Sequence, residues 1–330
     1  MLAKMRLNRE PVEYGAEVYL PINLEAVRVD TVPDFDLYFR PGHDKPFVLY
    51  CEKNSRFTGD ARRRLATHRI DQLYIKKADA AEYHRYLAEN IQEILSDKRL
   101  SLREKSSILY DSAQAVVEVV LANPSSREHV RRGKSIVGNT VDFMTDEDFK
   151  LEHLLRTISC DAYLYTHSVN VVAYSVALAM RAGHQDKPIL REIANGALMH
   201  DVGKSKVDPE ILNKPGGLTA AEWEEIQQVP RLGYDMMRAS DCLGEIALDI
   251  VLHHQEKMDG SGYPDALKGE KISEYVRIVT IADVFDALTS DRFHQSPRST
   301  FDALQVMQRE MRHQLDPELF KTFVTMMGNP

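Results

Sequence analysis

The sequence predicts an α+β protein: a small N-terminal α/β module followed by an all-α helical bundle. Three observations predict it. Strand-like alternation of apolar and polar residues is confined to the stretch between about residues 26 and 80. From Ala78 onward, apolar residues recur at helical spacing in run after run. That second part is punctuated by helix-start patterns such as Ser101-Leu102-Arg103-Glu104 and Thr219-Ala220-Ala221-Glu222. The 330 residues suffice for two domains, and 43% hydrophobic with 28% charged residues is the composition of an ordinary globular chain.

In order along the chain, residues 1–25 read as irregular. Residues 35–40 alternate like a half-buried strand, 46–51 read as a second, and Pro41-Gly42-His43-Asp44-Lys45 between them is turn chemistry. Thr58-Gly59-Asp60 opens a basic helix over 61–67, and 72–77 is a third short strand. The consecutive Arg62, Arg63 and Arg64 read as a solvated helix face, with an anion-sensing patch as the alternative. Asp79 starts a helix over 80–95, the Ser101 box starts one that ends near Asn123-Pro124, and 125–143 is a third. These helices could link two modules or pair with a second subunit. A break at Thr145-Asp146-Glu147-Asp148 divides the chain into a 1–80 module, an 81–144 helical linker and a 145–330 main domain. Further helices are expected over 164–181, 187–199, from Thr219, 243–254, 272–289, 301–314 and 317–327. The 272–289 segment is assigned to helix despite the strand propensity of Val276, Ile278, Val279 and Ile281.

Charge and cysteine usage narrow the function. A net charge of −8 argues against general nucleic-acid binding, although a local Lys/Arg pocket could still hold a small anion. Cys51, Cys160 and Cys242 are far apart and form no CxxC, which fits a reducing compartment. No apolar run is long enough to span a bilayer and the first residues lack a signal-peptide core, so a cytoplasmic location is expected.

The chemistry centres on His200-Asp201-Val202-Gly203-Lys204, after the apolar run 193–199. An imidazole beside a carboxylate suits a divalent ion of Zn, Mn or Fe type, yet alone the pair marks no more than a helix end. His167 lies early in the 164–181 helix, and Asp283 lies within the apolar run Ile281-Ala282-Asp283-Val284-Phe285. A carboxylate buried in such a run costs several kcal/mol, on the order of magnitude, unless a partner compensates it. Two imidazoles and two carboxylates from three helices make a first shell for one divalent ion, with open positions for water or substrate. Trp223, on the capped helix, is expected to pack, and the methionine pairs 236–237 and 326–327 to fill core or interface.

The order His…His-Asp…Asp resembles the HD phosphohydrolase superfamily. The match sharpens at Asp259-Gly260-Ser261-Gly262-Tyr263-Pro264, preceded by His253-His254-Gln255-Glu256-Lys257, which resembles the second signature of the HD-GYP family. Ile211 through Thr219 with Glu222, and Ala282 through Arg292, resemble two more of its stretches. The resemblance covers about residues 145–330 and not the N-terminal module. It implies an HD-type bundle acting as a metal-dependent phosphodiesterase on cyclic di-GMP or a related small phosphodiester, either alone or with a homodimer or signalling partner. Carried over residue by residue, His167, His200, Asp201 and Asp283 match metal ligands, with Asp201 the bridge between ions. Lys204 matches the Lys near the scissile phosphate, Arg292 a phosphate-contacting Arg, and Gly262, Tyr263 and Pro264 the loop that shapes the substrate pocket. Asp201 and Lys204 are thus the expected catalytic pair.

The chain departs from that pattern where a second ion would bind. Val229-Pro230 stands where the family has His-Pro, and valine cannot ligate. Aligned without a gap on Glu256, the family's two histidines fall on His254 and Gln255, whereas a bulged register would restore His253 and His254. The gapless register is preferred, making His254 the surviving ligand. Tyr163 replaces an additional carboxylate, and Phe293-His294-Gln295 departs from the usual residues after Arg292. One tight ion, Fe or Mn, and a weak or empty second site are expected, with slow or absent hydrolysis. The alternative is a catalytically degenerate protein that binds cyclic di-GMP or a partner as a signalling module.

Overall fold

The computed structural model describes residues 11–42, 44–68, 70, 72–146, 149, 164–290 and 297–328. The chain divides into two compact units, Met1–Ser112 and Ala113–Pro330.

The first unit is built on a five-stranded antiparallel sheet. Its strands are β1 (Val12–Tyr14), β2 (Glu17–Asn23), β3 (Leu37–Phe39), β4 (Val48–Cys51) and β5 (Gln72–Lys76), in the order β1-β2-β5-β3-β4. β1 and β2 correct the reading of residues 1–25 as irregular. Gly15, at φ 65°, makes the reversal between them, a conformation glycine adopts without penalty. Pro21 hid β2, since proline removes a ladder donor and argues against an interior strand. Here it sits opposite Tyr74, while flanking Tyr19 and Ile22 are buried.

Helix α1 (Gly59–Thr67) is capped by the Thr58 hydroxyl, which accepts from the Ala61 N–H at 3.2 Å, and it buries Ala61 and Leu65. Arg62 pairs with Glu25 and Arg63 with Asp60, so two of the three arginines are already neutralised. Helix α2 (Ala80–Ser96) sets the Tyr83 and Tyr86 rings edge-on to Phe35, each at 5.5 Å between centroids. The division between units falls inside α3 (Leu102–Ala122), whose Ser101/Glu104 capping box forms as expected.

The second unit is helical: α4 (Arg127–Met144), α5 (Leu164–Arg181), α6 (Lys187–Met199), α7 (Pro209–Leu212), α8 (Ala220–Gln227), α9 (Val229–Ser240), α10 (Glu245–His253), α11 (Glu274–Thr289), α12 (Thr300–Glu310) and α13 (Pro317–Gly328). α4 and the second half of α3 belong to this unit, and α4 packs on α6, although the sequence places both in a linker over 81–144. The apolar faces of these helices are satisfied only against the bundle. α9 is a further helix that the sequence reading lacks. Its Pro230 lies in the first turn, where no intrahelical N–H is needed.

Four helices converge on the centre of the bundle. α5 packs on both α6 and α11, and α6 packs on α10. Gly196 of α6 lets Ile250 of α10 approach, since a Cβ there would lie 2.7 Å from the Ile250 Cβ. Phe285 of α11 meets Tyr174 of α5 and Phe323 of α13 edge-on at 5.2 and 5.0 Å. No described helix is long and apolar enough to cross a membrane.

Candidate metal centre

His167 lies in the first turn of α5, and Asp283 in the middle of α11. His200 ends α6, and Asp201 leads into a 3-10 turn, Val202–Lys206. His254 follows the last residue of α10. His167, His200, Asp201 and His254 are buried, and the Asp283 side chain keeps 13% of its surface exposed. Two ligand groups result, His167 with His200 and Asp283, and His200 with Asp201 and His254.

The helix ends orient two of the imidazoles. A helix leaves its last carbonyls without intrahelical partners. His200 Nδ1–H donates to one of them, Ala197 O at 2.7 Å, and His254 Nδ1–H to another, Val251 O at 3.1 Å. His167 Nδ1–H donates instead to Asp286 Oδ2 at 2.7 Å. Each ring therefore turns Nε2, with its lone pair, toward the centre, the arrangement that metal-ligating histidines use. His167 Nε2 and His200 Nε2 stand 3.2 Å apart. Asp201 Oδ2 lies 3.5 and 3.3 Å from these two nitrogens, and Asp283 Oδ1 lies 3.3 and 3.9 Å from them. His254 Nε2 is buried without a hydrogen-bond partner, 4.0 Å from Asp201 Oδ1.

Two neutral imidazole nitrogens at this separation repel unless a proton or a cation lies between them. Burial opposes charge on His167, but Asp201, Asp283 and Asp286 outweigh it and raise its pKa well above the ordinary histidine value. Burial likewise opposes the ionised forms of Asp201 and Asp283. Lys204 and His200 reverse this for Asp201, and His167 and His200 for Asp283, so both carboxyls titrate below the usual range. His254 goes the other way. Its burial and the neighbouring His200 lower its pKa to about 4, leaving a neutral ring and an open lone pair. Imidazole nitrogens and ionised carboxylates are the donors a divalent cation takes, and one held by His167, His200 and Asp283 would replace the proton on His167.

The sequence reading did not single out Asp286. It is buried three residues after Asp283 on the same helix face, and it accepts from His167 Nδ1, from Asn170 Nδ2 at 2.8 Å and from Ser290 Oγ at 3.0 Å. The i, i+3 repeat of aspartate in an apolar helix was the available signal. Replacing Asp286 by Asn is expected to weaken divalent-ion affinity about 10- to 100-fold, because it no longer fixes the His167 tautomer. A competition titration with a metallochromic chelator measures this, and an unchanged affinity would refute the role.

The remaining predicted residues fall around this centre. Lys204 Nζ donates to Asp201 Oδ2 at 2.5 Å. His253, adjacent to His254, points elsewhere and bonds Asp249 at 2.6 Å and Asp265 at 3.1 Å. Gln255 Nε2 donates to Asp283 Oδ2 at 3.2 Å. Val229 is buried, with its carbonyl against Gly203. Gly262 seats its loop on the backbone of residues 255–257, since a Cβ there would lie 2.5 Å from Gln255 O, Glu256 Cα and Lys257 N. Buried Glu256 closes that loop by accepting from the Asp265 N–H at 2.8 Å and the Leu267 N–H at 3.0 Å. Tyr263 and Pro264 are carried between these anchors. Burial, with the charges of Asp201 and Asp283, raises the Tyr263 hydroxyl to about 12. Arg292, with Tyr163, Phe293 and His294, lies outside the described residues. Trp223 does not pack as expected: 46% of it is exposed.

A family model described as HD domain matches residues 152–319. The cyclic di-GMP phosphodiesterase PA4108 of Pseudomonas aeruginosa is 38% identical over 175 residues, which is 53% of this chain and 42% of that protein. The cyclic di-GMP phosphodiesterase response regulator RpfG of Xanthomonas campestris is 39% identical over 220 residues, 66% of this chain and 54% of that one. The 3'3'-cGAMP-specific phosphodiesterase 3 of Vibrio cholerae is 34% identical over 158 residues, 48% and 34% of the respective chains. The chain thus spans about half the length, or less, of these relatives. Among solved structures, the Bd1817 HDG"Y"P protein of Bdellovibrio bacteriovorus shares the fold at a TM-score of 0.65 and 22% identity, over 94% of this chain and 100% of that one.

Proposed function

The chain belongs to the HD-domain family, in the HD-GYP branch, and from this premise we propose that it is a cytoplasmic phosphodiesterase hydrolysing cyclic di-GMP or a related small phosphodiester. The observation that carries the proposal is a pair of adjoining ligand groups that share His200, one with His167 and Asp283 and one with Asp201 and His254, each imidazole turning Nε2 inward.

His167, His200, Asp201 and Asp283 would hold one ion, Fe or Mn, and His254 with Asp201 a weaker second. When bound, such ions acidify a water nucleophile and neutralise charge on phosphate oxygens. Asp201 stays ionised under the influence of Lys204 and its neighbouring imidazoles, so it can serve both positions. Lys204 places an ammonium beside Asp201, where it can stabilise charge on the transferring phosphoryl group. The Tyr263 hydroxyl stays protonated at working pH and can donate a hydrogen bond to a phosphate oxygen.

A second reading is a degenerate member that binds the dinucleotide or a partner protein without turnover. Val229 and Gln255 favour it, because each stands where the family supplies an imidazole. Gln255 Nε2 donates to an Asp283 oxygen and has no imidazole lone pair to offer a metal. The test is hydrolysis of cyclic di-GMP by the full chain with added Mn or Fe(II), alongside elemental analysis. The expected result is one tightly held ion per chain and measurable turnover. Tight dinucleotide binding with no linear or cleaved product would favour the degenerate reading, and two or more tightly held ions would refute the weak second site.

A further inference from the structure

Trp223, the chain's single tryptophan, stands beside the site without being absorbed into it. Its helix, α8, is short but seated twice over. The Thr219 hydroxyl accepts from the Glu222 N–H, and Glu222 accepts from the Thr219 N–H at 2.7 Å. Lys214 then reaches both Glu222 oxygens at 2.7 Å and ties the preceding loop to the same turn. On this support the indole keeps 46% of its surface exposed and lies edge-on to the Tyr263 ring, 6.0 Å between centroids at 81°. Tyr263 in turn is anchored through Gly262 to the backbone of residues 255–257, next to the Gln255 that bonds Asp283.

A single exposed aromatic is ordinary. A rigidly mounted one that meets Tyr263 edge-to-face and keeps nearly half its surface exposed offers area on which a planar group can stack. Planar bases stack on aromatic faces.

We propose that Trp223, backed by Tyr263, is the base-binding subsite of this centre, stacking a purine base of a cyclic dinucleotide while the scissile phosphate lies at the His200–Asp201 cluster. This assignment rests on the phosphodiesterase reading above.

The lone indole reports on itself. Titrating the metal-loaded full chain with cyclic di-GMP is expected to quench tryptophan emission, whereas inorganic phosphate, which lacks a base, leaves it unchanged. Trp223→Ala is expected to raise KM, or Kd if turnover is absent, about 5- to 100-fold with kcat within about twofold. Trp223→Phe is expected to retain most of the affinity. If calorimetry shows cyclic di-GMP binding to the wild type without quenching, and Trp223→Ala binds within twofold of it, the stacking subsite is refuted while the enzyme reading stands. Absence of both binding and turnover in the wild type overturns the two together.

Discussion

Asp201→Ala is expected to lower cyclic di-GMP turnover by at least about 10³-fold, equivalent to about 4 kcal/mol of transition-state stabilisation. It faces three of the imidazoles and the Lys204 ammonium. Its Oδ2 lies 3.5 Å from His167 Nε2, 3.3 Å from His200 Nε2 and 2.5 Å from Lys204 Nζ, while Oδ1 faces His254 Nε2 at 4.0 Å. Deleting it removes the carboxylate from the His200–Asp201–His254 group and leaves the Lys204 ammonium beside the imidazoles. Metal content should fall with activity. Asp201→Asn, which keeps the volume and loses the charge, should behave nearly as badly. Turnover and elemental analysis on the purified variants decide the matter, and a variant that kept its ion and a tenth of its activity would remove Asp201 from the centre.

Gly203→Ala is expected to destabilise the second unit by about 3 kcal/mol, lowering Tm by roughly 6–12 °C. A Cβ at this position would lie 2.0 Å from the Val229 carbonyl oxygen and 2.8 Å from the Gly233 amide nitrogen, both backbone atoms that cannot rotate aside. The 3-10 turn holding Lys204 must then move away from α9, shifting Asp201 with it. Loss of activity should therefore accompany loss of stability. Calorimetry is the direct measurement. An unchanged Tm would show that α9 does not press on this turn.

The helical unit was legible because its apolar periodicity, capping boxes and N-cap serines are local. Ser273 caps α11 by accepting from the Val276 N–H, and helix forms there against the β-branched residues that follow. Burial on the bundle outweighs a propensity difference of tenths of a kcal/mol per residue. Of the N-terminal strands, β3, β4 and β5 were legible and the first two were not, because β2 owes its state to pairing with β1 and β5 and its Pro21 argues against it locally. Nor was the place of α4, since no linear pattern says that it packs on α6.

Local pattern was enough for the chemistry on offer: which side chains can bind a cation, the helices that carry them and, through the family resemblance, Val229 and Gln255 as positions where an expected imidazole is absent in the preferred register. Tertiary structure decided how that chemistry is used. Only the folded chain turns three Nε2 atoms inward, recruits Asp286 to hold His167, directs His253 away from His254, and stands Trp223 against Tyr263. The physical reason is range. Ligand type and helical period are encoded within a few residues, whereas tautomer, orientation and exposure depend on groups that meet only when helices far apart in the chain pack together.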